Sequence, residues 1–299
     1  MLECRYISLL DLARSGVPLI IDSHTHIFPK WLQNQKSKYI ERDSTFAELY
    51  GSPNAKMATV EDLIASMDED GIDLSVAMGI GWSDPGLAKD MNDYIIESKS
   101  RYPNRIAGCA GINPSWGKKA IEETDRCARN GLFGIGELHP YSQKFDLADK
   151  ITMAPLVEIS QEYNLVIVTH SSEPIGHSYS GKGNTYPEII SGFIQNFPGI
   201  NLVCAHWGGG LPFYNLMPEV AESLANVHFD SAASPLLYNP QIFDIVASLL
   251  GPERILMGSD YPLLRSHELI SQIQRSSLST IDNKAIMGGN ASKLLGIDD

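Results

Sequence analysis

The feature that most constrains this sequence is a repeated alternation of short apolar runs with longer segments of helical periodicity. The apolar runs, several of them rich in β-branched residues, lie at 18–23, 73–78, 106–111, 132–137, 165–170, 201–206, 227–231 and 255–260. Helical patterns follow them at 59–70, 86–101, 117–130, 154–163, 186–196, 215–225, 240–250 and 266–278. Short, mostly apolar strands are typical of a parallel sheet that helices cover. Eight such strands with a helix after each predict a (β/α)8 TIM barrel, with a doubly wound open sheet as the alternative.

The length is compatible with one barrel. A chain of 299 residues could form two average domains, but α/β barrels reach this size as one. We therefore expect a single barrel domain over residues 1–299, with an extra N-terminal helix over residues 1–16. The connections 28–58 and 171–185 are long, and because both follow strands, both should lie over the catalytic face.

Charge and cysteine content exclude several classes of protein. Lys and Arg total 23 against 36 Asp and Glu, a formal net charge of -13, which repels phosphate backbones and anionic lipid. Nucleic-acid and membrane partners are therefore not expected. The four cysteines form no Cys-x-x-Cys pair and no disulfide framework. No signal peptide or long apolar span is recognisable, which favours a cytoplasmic protein.

The strongest chemical signal is the pair His24 and His26 at the end of the first predicted strand. Side chains alternate along a strand, so these two imidazoles project the same way. At this spacing they can chelate one divalent ion. A His-x-His pattern alone is common, and packing or surface histidines are the alternative interpretation.

Further imidazoles and carboxyls end other predicted strands. They are Glu137 on the fourth strand, His170 on the fifth, His206 on the sixth and Asp260 on the eighth. The carboxyl ends of barrel strands open on one face, so we expect all six side chains to converge there. Imidazole and carboxylate ligands favour zinc, with iron, manganese, nickel or cobalt as alternatives. No nucleotide-binding pattern is present, and no nucleotide cofactor is expected.

These motifs carry a family resemblance. They are Ile21-Asp22-Ser23-His24-Thr25-His26, Val168-Thr169-His170, Cys204-Ala205-His206-Trp207-Gly208 and Met257-Gly258-Ser259-Asp260-Tyr261. The sequence resembles the amidohydrolase superfamily, in particular the amidohydrolase-related branch that includes aminocarboxymuconate semialdehyde decarboxylase. The resemblance implies a distorted barrel with one or two metal ions. It implies that His24, His26 and Asp260 hold the buried ion and His170 a further coordination position. It also implies that His206 is either a second-metal ligand or the acid/base histidine.

Two-metal members of the superfamily bridge their ions by a carbamylated lysine or a glutamate on the fourth strand, and this sequence departs from the members that use the lysine, since Glu137 ends its fourth strand. No lysine lies near the end of this strand; the nearest downstream is Lys144. A carbamate bridge is therefore not expected, whereas Glu137 could bridge two ions directly. The alternative is a carboxylate that orients His170 or His139, a usual role beside metal-bound imidazole.

Two reactions fit this ligand set. The favoured interpretation is a metal-dependent hydrolase in which metal-activated water attacks the carbonyl of a small amide, ester or lactone and Asp260 shuttles the proton. The alternative is a non-oxidative decarboxylase of an aromatic or unsaturated acid, with one metal ion and His206 as acid/base. Candidate substrate-binding residues are His139, His177, Lys182 and Arg265. We also expect a homo-oligomer, most simply a dimer.

Overall fold

The computed structural model describes residues 18–297, in which eight parallel strands form one sheet in the order β1 to β8. The strands are β1 (Ile21–Thr25), β2 (Leu74–Met78), β3 (Ile106–Ala110), β4 (Gly134–Leu138), β5 (Val166–Thr169), β6 (Leu202–Cys204), β7 (Val227–Asp230) and β8 (Ile255–Leu256). Each strand pairs in parallel with the next along the chain.

The sheet curves until its last strand meets its first. Past β8, the Met257 carbonyl accepts a 2.8 Å hydrogen bond from the Ser23 amide, and the Asp260 amide donates a 2.9 Å bond to the His24 carbonyl. A parallel bridge joins Thr25 to Tyr261. These contacts confirm the predicted (β/α)8 barrel and exclude the open sheet.

Helices separate the strands. They are α1 (Lys30–Asn34), α2 (Lys36–Arg42), α3 (Ser44–Tyr50), α4 (Val60–Asp70), α5 (Pro85–Arg101), α6 (Lys118–Arg129), α7 (Pro140–Gln143), α8 (Lys150–Glu162), α9 (Pro187–Asn196), α10 (Pro218–Ser223), α11 (Ser234–Leu237), α12 (Ile242–Leu250), α13 (Ser266–Gln274), α14 (Thr280–Lys284) and α15 (Asn290–Leu294). Helix α4 has the expected boundaries, because Thr59 and Asp62 form a capping box and Gly71 (φ 72°) ends it. The extra helix expected over residues 1–16 lies outside the described residues. None of the helices within residues 18–297 has the length and apolarity that crossing a membrane requires.

Two predicted strands are shorter than expected where they approach the site. The predicted strand 255–260 ends at Leu256, because the amides of Gly258 and Ser259 bond to side chains rather than to a neighbouring strand. The predicted strand 201–206 ends at Cys204, and residues 206–210 follow in the left-handed backbone region. Glycine is required at position 209, where a Cβ atom would lie 2.2 Å from the Ser172 carbonyl oxygen.

The long connection after β1 is folded rather than extended. It contains the short helices α1 to α3, which bury Phe28, Leu32 and Phe46 in an apolar cluster with Trp82. The rings of Phe46 and Trp82 stack with centroids 5.7 Å apart. This cluster fixes α3 above the mouth of the barrel, as the length of the connection predicts.

Candidate metal centre

His24 and His26 lie at the end of β1, and the Nε2 atoms of the two rings approach each other. Their Nε2 atoms are 3.1 Å apart, and both residues are buried. His24 Nδ1 lies 2.8 Å from Asp230 Oδ2, and His26 Nδ1 lies 3.2 Å from the Met78 carbonyl oxygen. Both partners only accept hydrogen bonds, so both Nδ1 atoms carry protons. In the neutral rings, two Nε2 lone pairs therefore face each other.

Asp260 completes a first group of three donors. Its Oδ1 is 3.5 Å from His26 Nε2 and 4.0 Å from His24 Nε2. Its backbone is left-handed (φ 66°), an unfavourable conformation that the bond from its amide to the His24 carbonyl helps to hold. The structure thus brings together three residues that lie more than 230 positions apart in sequence from first to last.

Glu137, at the end of β4, lies between two sets of histidines. Its Oε2 is 3.7 Å from His24 Nε2 and 3.8 Å from His26 Nε2. Its Oε1 is 3.1 Å from His170 Nδ1 and 3.3 Å from His206 Nε2. Glu137 therefore has the position that either expectation requires, as a bridge between ions or as a partner of His170.

His206 follows β6 and is anchored through its other ring nitrogen. Its Nδ1 lies 3.0 Å from the Ala232 carbonyl oxygen, so this atom carries a proton and Nε2 faces Glu137. Burial lowers the pKa of His206, but the hydrogen bond and charge of Glu137 outweigh burial and raise the pKa to about 9. Glu137 thus stabilises the protonated form of the His206 ring.

Asp230, at the end of β7, is a residue that the sequence reasoning missed. It is fully buried, and its Oδ2 accepts from His24 while its Oδ1 accepts from the backbone amides of His206 and Ala232, both at 3.0 Å. One carboxylate thus orients a candidate ligand and the candidate acid. The rule that identified the other residues, a carboxyl at a strand end, would have found it.

Asp22 was also missed as a supporting residue. This buried carboxylate accepts hydrogen bonds from the hydroxyls of Ser259, at 2.5 Å, and Ser266, at 2.6 Å, and from the Ser259 amide. Burial raises the pKa of Asp22, although these hydrogen bonds act in the opposite direction. Asp22 fastens the segment that carries Asp260 to β1.

His170 is close to the centre but turned toward other partners. Its Nδ1 faces Glu137 and its Nε2 lies 3.1 Å from the Lys182 carbonyl oxygen. Among residues 18–297, two three-residue groups have ligand atoms within 4.8 Å of one another, and His170 belongs to neither; they are His24, His26 and Asp260, and His24, Glu137 and His206. The expected coordination by His170 therefore remains a prediction.

The electrostatics of the centre favour a cation. Burial lowers the pKa of His24, but the charges of Asp230 and Glu137 outweigh it and raise this pKa well above its ordinary value. Burial raises the pKa of Glu137, but the charge of His24 and hydrogen bonds from His170 and His206 hold it well below its ordinary value. Burial and the charge of His24 lower the pKa of His26. The carboxylates thus draw positive charge to the point between the two Nε2 atoms.

The donor set fits a divalent ion. Two nitrogen ligands about 2.1 Å from an ion and at a right angle lie about 3 Å apart, and the Nε2 atoms of His24 and His26 are separated by 3.1 Å. A carboxylate oxygen of Asp260 is within reach of the same point. The hydrogen bonds that Asp230 and Met78 accept are the outer contacts that orient metal-bound imidazole in other proteins.

A cavity of about 380 Å³ opens above these residues. His26, Glu137, His170, His206 and Asp260 form its floor. Its walls are mostly apolar and come from several connections between the strands; they include Leu49, Tyr50, Ile80, Leu236, Leu237 and Leu263. This volume is suited to a small substrate with a planar or compact apolar body.

The four candidate substrate-binding residues divide into two pairs. His139 and His177 line the cavity. Lys182 does not, because its ammonium donates to the carbonyls of Ile175 and His177 and so ties the loop 171–185 to itself. Arg265 also lies outside the cavity, since its guanidinium is bound to Asp70 and Glu69. Substrate binding by Lys182 and Arg265 stays a prediction, although each cation has partners outside the cavity.

Comparison with known proteins settles the family. A family model described as amidohydrolase matches residues 21–297. The chain belongs to this family. It is 25% identical to a 2-amino-3-carboxymuconate-6-semialdehyde decarboxylase from Dictyostelium discoideum, over 94% of this chain and 92% of that protein.

Solved structures share the fold. A 5-carboxyvanillate decarboxylase from Sphingomonas paucimobilis superposes with a TM-score of 0.77 at 16% identity, covering 93% of this chain and 99% of that one. A dihydroxybenzoic acid decarboxylase from a Polaromonas species, solved with bound manganese and the inhibitor 2-nitroresorcinol, gives 0.72 at 17% identity, covering 95% and 98%.

These relatives correct the favoured reaction. The expectation of a hydrolase acting on an amide, ester or lactone is wrong, because the similar proteins are named as decarboxylases. The reason lies in the ligand set, since buried imidazoles and carboxylates hold a divalent ion equally well for either reaction. The residues that the sequence identified therefore specify a metal centre better than they specify a reaction.

Proposed function

We propose that this protein is a metal-dependent, non-oxidative decarboxylase of a small aromatic or unsaturated carboxylic acid. The observation that carries the proposal is the position of His206, whose anchored ring directs Nε2 to Glu137 beside the ligand cluster. Decarboxylation leaves an electron pair on carbon that must receive a proton, and His206 is a buried proton source facing the cavity. The similarity to a decarboxylase over most of both chains supports the same reaction.

His24, His26 and Asp260 would hold the divalent cation. Such a cation would supply positive charge that offsets the negative charge of the substrate acid. Manganese, present in one solved structure of the same fold, and zinc, which the ligand types favour, are the two ions to test first. We propose one ion per chain, because Glu137 already pairs with His206 and His170.

In the proposed reaction, side chains of the protein provide and position the proton. The bond between the carboxyl carbon and the substrate carbon breaks, carbon dioxide leaves, and the electron pair on the substrate carbon takes the proton from His206 Nε2. Glu137 Oε1, 3.3 Å from that nitrogen, stabilises the protonated ring beforehand, and the Ala232 carbonyl keeps the ring oriented. A proton from solvent restores His206 for the next turnover.

The apolar walls contribute by excluding water. Leu49, Ile80 and Leu237 surround the space above the floor, and a low local dielectric strengthens the interactions of charged groups inside it. The low dielectric also favours the conversion of a charged carboxylate into neutral carbon dioxide.

The test is a product assay. Protein loaded with manganese or zinc is incubated with hydroxybenzoates and unsaturated dicarboxylic semialdehydes, and carbon dioxide and the shortened product are quantified. We expect both in equal amounts from at least one acid, and their loss in His206→Asn. Turnover of amides, esters or lactones without carbon dioxide release would contradict the proposal.

A further inference from the structure

One tyrosine of the cavity wall has a ring that is held in place and a hydroxyl that has no partner. Tyr50 is the last residue of α3, in the long connection after β1. It lines the cavity together with the floor residues Glu137, His206 and Asp260. A molecule that fills this cavity would therefore contact Tyr50.

Aromatic neighbours hold the ring of Tyr50. The ring stacks on Phe46 with centroids 5.3 Å apart and an angle of 21°, and it meets Phe28 edge-on at 4.8 Å and 69°. Phe28 and Phe46 are themselves fully buried and pack against Trp82. Aromatic pairs in these arrangements are stabilising beyond the apolar area they bury. Because the hydroxyl lies in the plane of the ring, these contacts also fix the direction of its C–O bond.

The hydroxyl of Tyr50 is open to the cavity. It has no hydrogen-bond partner among residues 18–297, and it is not one of the polar atoms that are closed off without a partner. A tyrosine hydroxyl in apolar surroundings usually finds a partner. Tyr94, which packs against the same apolar cluster, shows the usual case, since its hydroxyl accepts a 2.9 Å hydrogen bond from the Val60 amide. The hydroxyl of Tyr50 is instead available to a ligand.

The charges around this hydroxyl favour a donor. A tyrosine has an ordinary pKa of about 10 and is protonated at neutral pH. Burial raises the pKa of Tyr50 well above that value, and the charges of Asp260 and Glu137 add to the effect. Both carboxylates belong to the cavity floor. The hydroxyl therefore carries its proton and lies within electrostatic reach of the candidate metal centre.

Three other donors that line the cavity already have acceptors in the protein. The Tyr179 hydroxyl lies 3.3 Å from a carboxylate oxygen of Glu173. The Ser180 hydroxyl donates to a backbone carbonyl of α3, and the Lys56 ammonium donates to the Leu263 carbonyl at 2.9 Å. Tyr50 differs from all three, because its donor is not committed to the protein.

We propose that Tyr50 is a substrate-binding residue whose hydroxyl donates a hydrogen bond to an oxygen atom of the substrate acid at the cavity floor. Phe28 and Phe46 are positioning residues that hold its ring. The inference rests on the proposed function for the identity of the substrate as an acid. A carboxylate, phenol or carbonyl oxygen of that acid would accept the bond.

The hydrogen bond can be tested by binding without turnover. Zinc-loaded protein is titrated in a calorimeter with 2-nitroresorcinol, a planar compound that has acceptor oxygens and no carboxyl group to lose. We expect Tyr50→Phe, which keeps the ring contacts, to raise the Kd by about tenfold, the effect of losing one hydrogen bond. The matched control is Tyr39→Phe, because Tyr39 packs in the same apolar cluster and does not line the cavity. The control should leave the Kd unchanged, and all three proteins should contain the same amount of zinc.

Contact with the hydroxyl is measured separately by NMR. In zinc-loaded protein labelled with 13C at the Cζ atom of tyrosine, the signals of Tyr50 and Tyr39 are assigned by their loss in the two phenylalanine variants. We expect 2-nitroresorcinol to shift the Tyr50 signal and to leave the Tyr39 signal in place. A residue that only packs the wall would not show this shift of the carbon that carries the hydroxyl.

An unchanged Kd in Tyr50→Phe, an unshifted Tyr50 signal, loss of zinc from Tyr50→Phe, or no binding of 2-nitroresorcinol by the unaltered protein overturns the inference. Both experiments measure binding rather than decarboxylation. If Tyr50→Phe weakens binding while no acid releases carbon dioxide, the proposed reaction fails and the role of Tyr50 stands. If carbon dioxide is released and Tyr50→Phe changes neither binding nor turnover, the reaction stands and the role of Tyr50 fails.

Discussion

The floor and the rim of the cavity hold their polar side chains in different ways. On the floor, His24, His26 and His206 are buried, and each has one ring nitrogen bound to a carboxylate or a backbone carbonyl. On the rim, in the loop 171–185, His177 is exposed and the Lys182 ammonium donates to the carbonyls of Ile175 and His177 in the same loop. The difference teaches that strand ends hold the candidate ligands through buried contacts, while the loop holds its lysine through contacts within the loop itself.

Two buried carboxylates hold the residues of the cavity floor in place. Asp230 and Asp22 are fully buried and do not themselves line the cavity. Asp230 accepts hydrogen bonds from His24 and from the His206 amide, and Asp22 accepts one from Ser259. The two carboxylates thus tie β7 and the segment after β8 to β1. Among the described residues, no buried carboxylate binds the Lys182 ammonium, which donates to backbone carbonyls of its own loop. Substitutions on the floor should therefore have large effects and those on the rim small ones.

The largest effect is expected when a candidate ligand is removed. In His26→Ala the ion should be lost, and turnover should fall by about a thousandfold or more, because the ion contributes several kcal/mol of charge stabilisation. Metal content and carbon dioxide release measure the two effects. His267→Ala, at an exposed histidine on α13, is the matched control and should retain both. Unchanged metal content in His26→Ala would place the ion elsewhere.

The next largest effect is expected at the candidate acid. His206→Asn keeps a donor for the Ala232 carbonyl but removes the proton at Nε2, and turnover should fall by about 10² to 10⁴. Metal content should stay the same, as determined by elemental analysis. If the variant loses one of two ions, His206 is a ligand and the centre is binuclear, with Glu137 as the bridge.

A smaller effect is expected at the carboxylate that orients His24. Asp230→Asn retains an oxygen that can accept from Nδ1 but loses the charge, and metal affinity should fall by roughly 10- to 100-fold. Titration with manganese followed by electron paramagnetic resonance measures this affinity. Asp244→Asn, on the outer helix α12, alters a carboxylate whose contact is Ser277 and should bind the ion as the unaltered protein does. Equal affinity in Asp230→Asn would show that the floor needs no such support.

The smallest effects are expected at the two cations that lie outside the cavity. Lys182→Met and Arg265→Met should each change kcat by less than about twofold, since neither side chain lines the space and surface substitutions usually have little effect. Steady-state kinetics on the best acid measures this. A tenfold rise in KM in either variant would show that a substrate carboxylate reaches that residue and would remove the distinction between floor and rim.

Much of the floor was predictable, because strand periodicity places side chains before any tertiary contact is known. The same alternation that identified eight strands placed His24, His26, Glu137, His206 and Asp260 on one face. The orientation of His170 was not predictable, since it depends on how the following loop folds back to bring the Lys182 carbonyl to its Nε2 atom. Asp230 was predictable in principle, because it ends β7 as the others end their strands.

The contacts of the rim could not be predicted from the sequence, for a physical reason. A cation in a loop can pair with any carboxylate or carbonyl nearby, and the partners of Arg265 lie on or beside α4, almost 200 residues away in sequence. Ser142 Oγ donates to Glu48 Oε2 and lies 3.0 Å from His139 Nδ1, so these contacts join the segment after β4 to the connection after β1. No local pattern encodes such contacts. The reaction was also mistaken, because the ligand types that the sequence shows suit hydrolysis and decarboxylation equally well.

Crystals grown with manganese, measured at the manganese absorption edge, would test the metal centre most directly. We expect one anomalous peak per chain, about 2.2 Å from the Nε2 atoms of His24 and His26 and from a carboxylate oxygen of Asp260. A chain that binds no ion at this position, or that binds it outside the floor, would contradict the assignment.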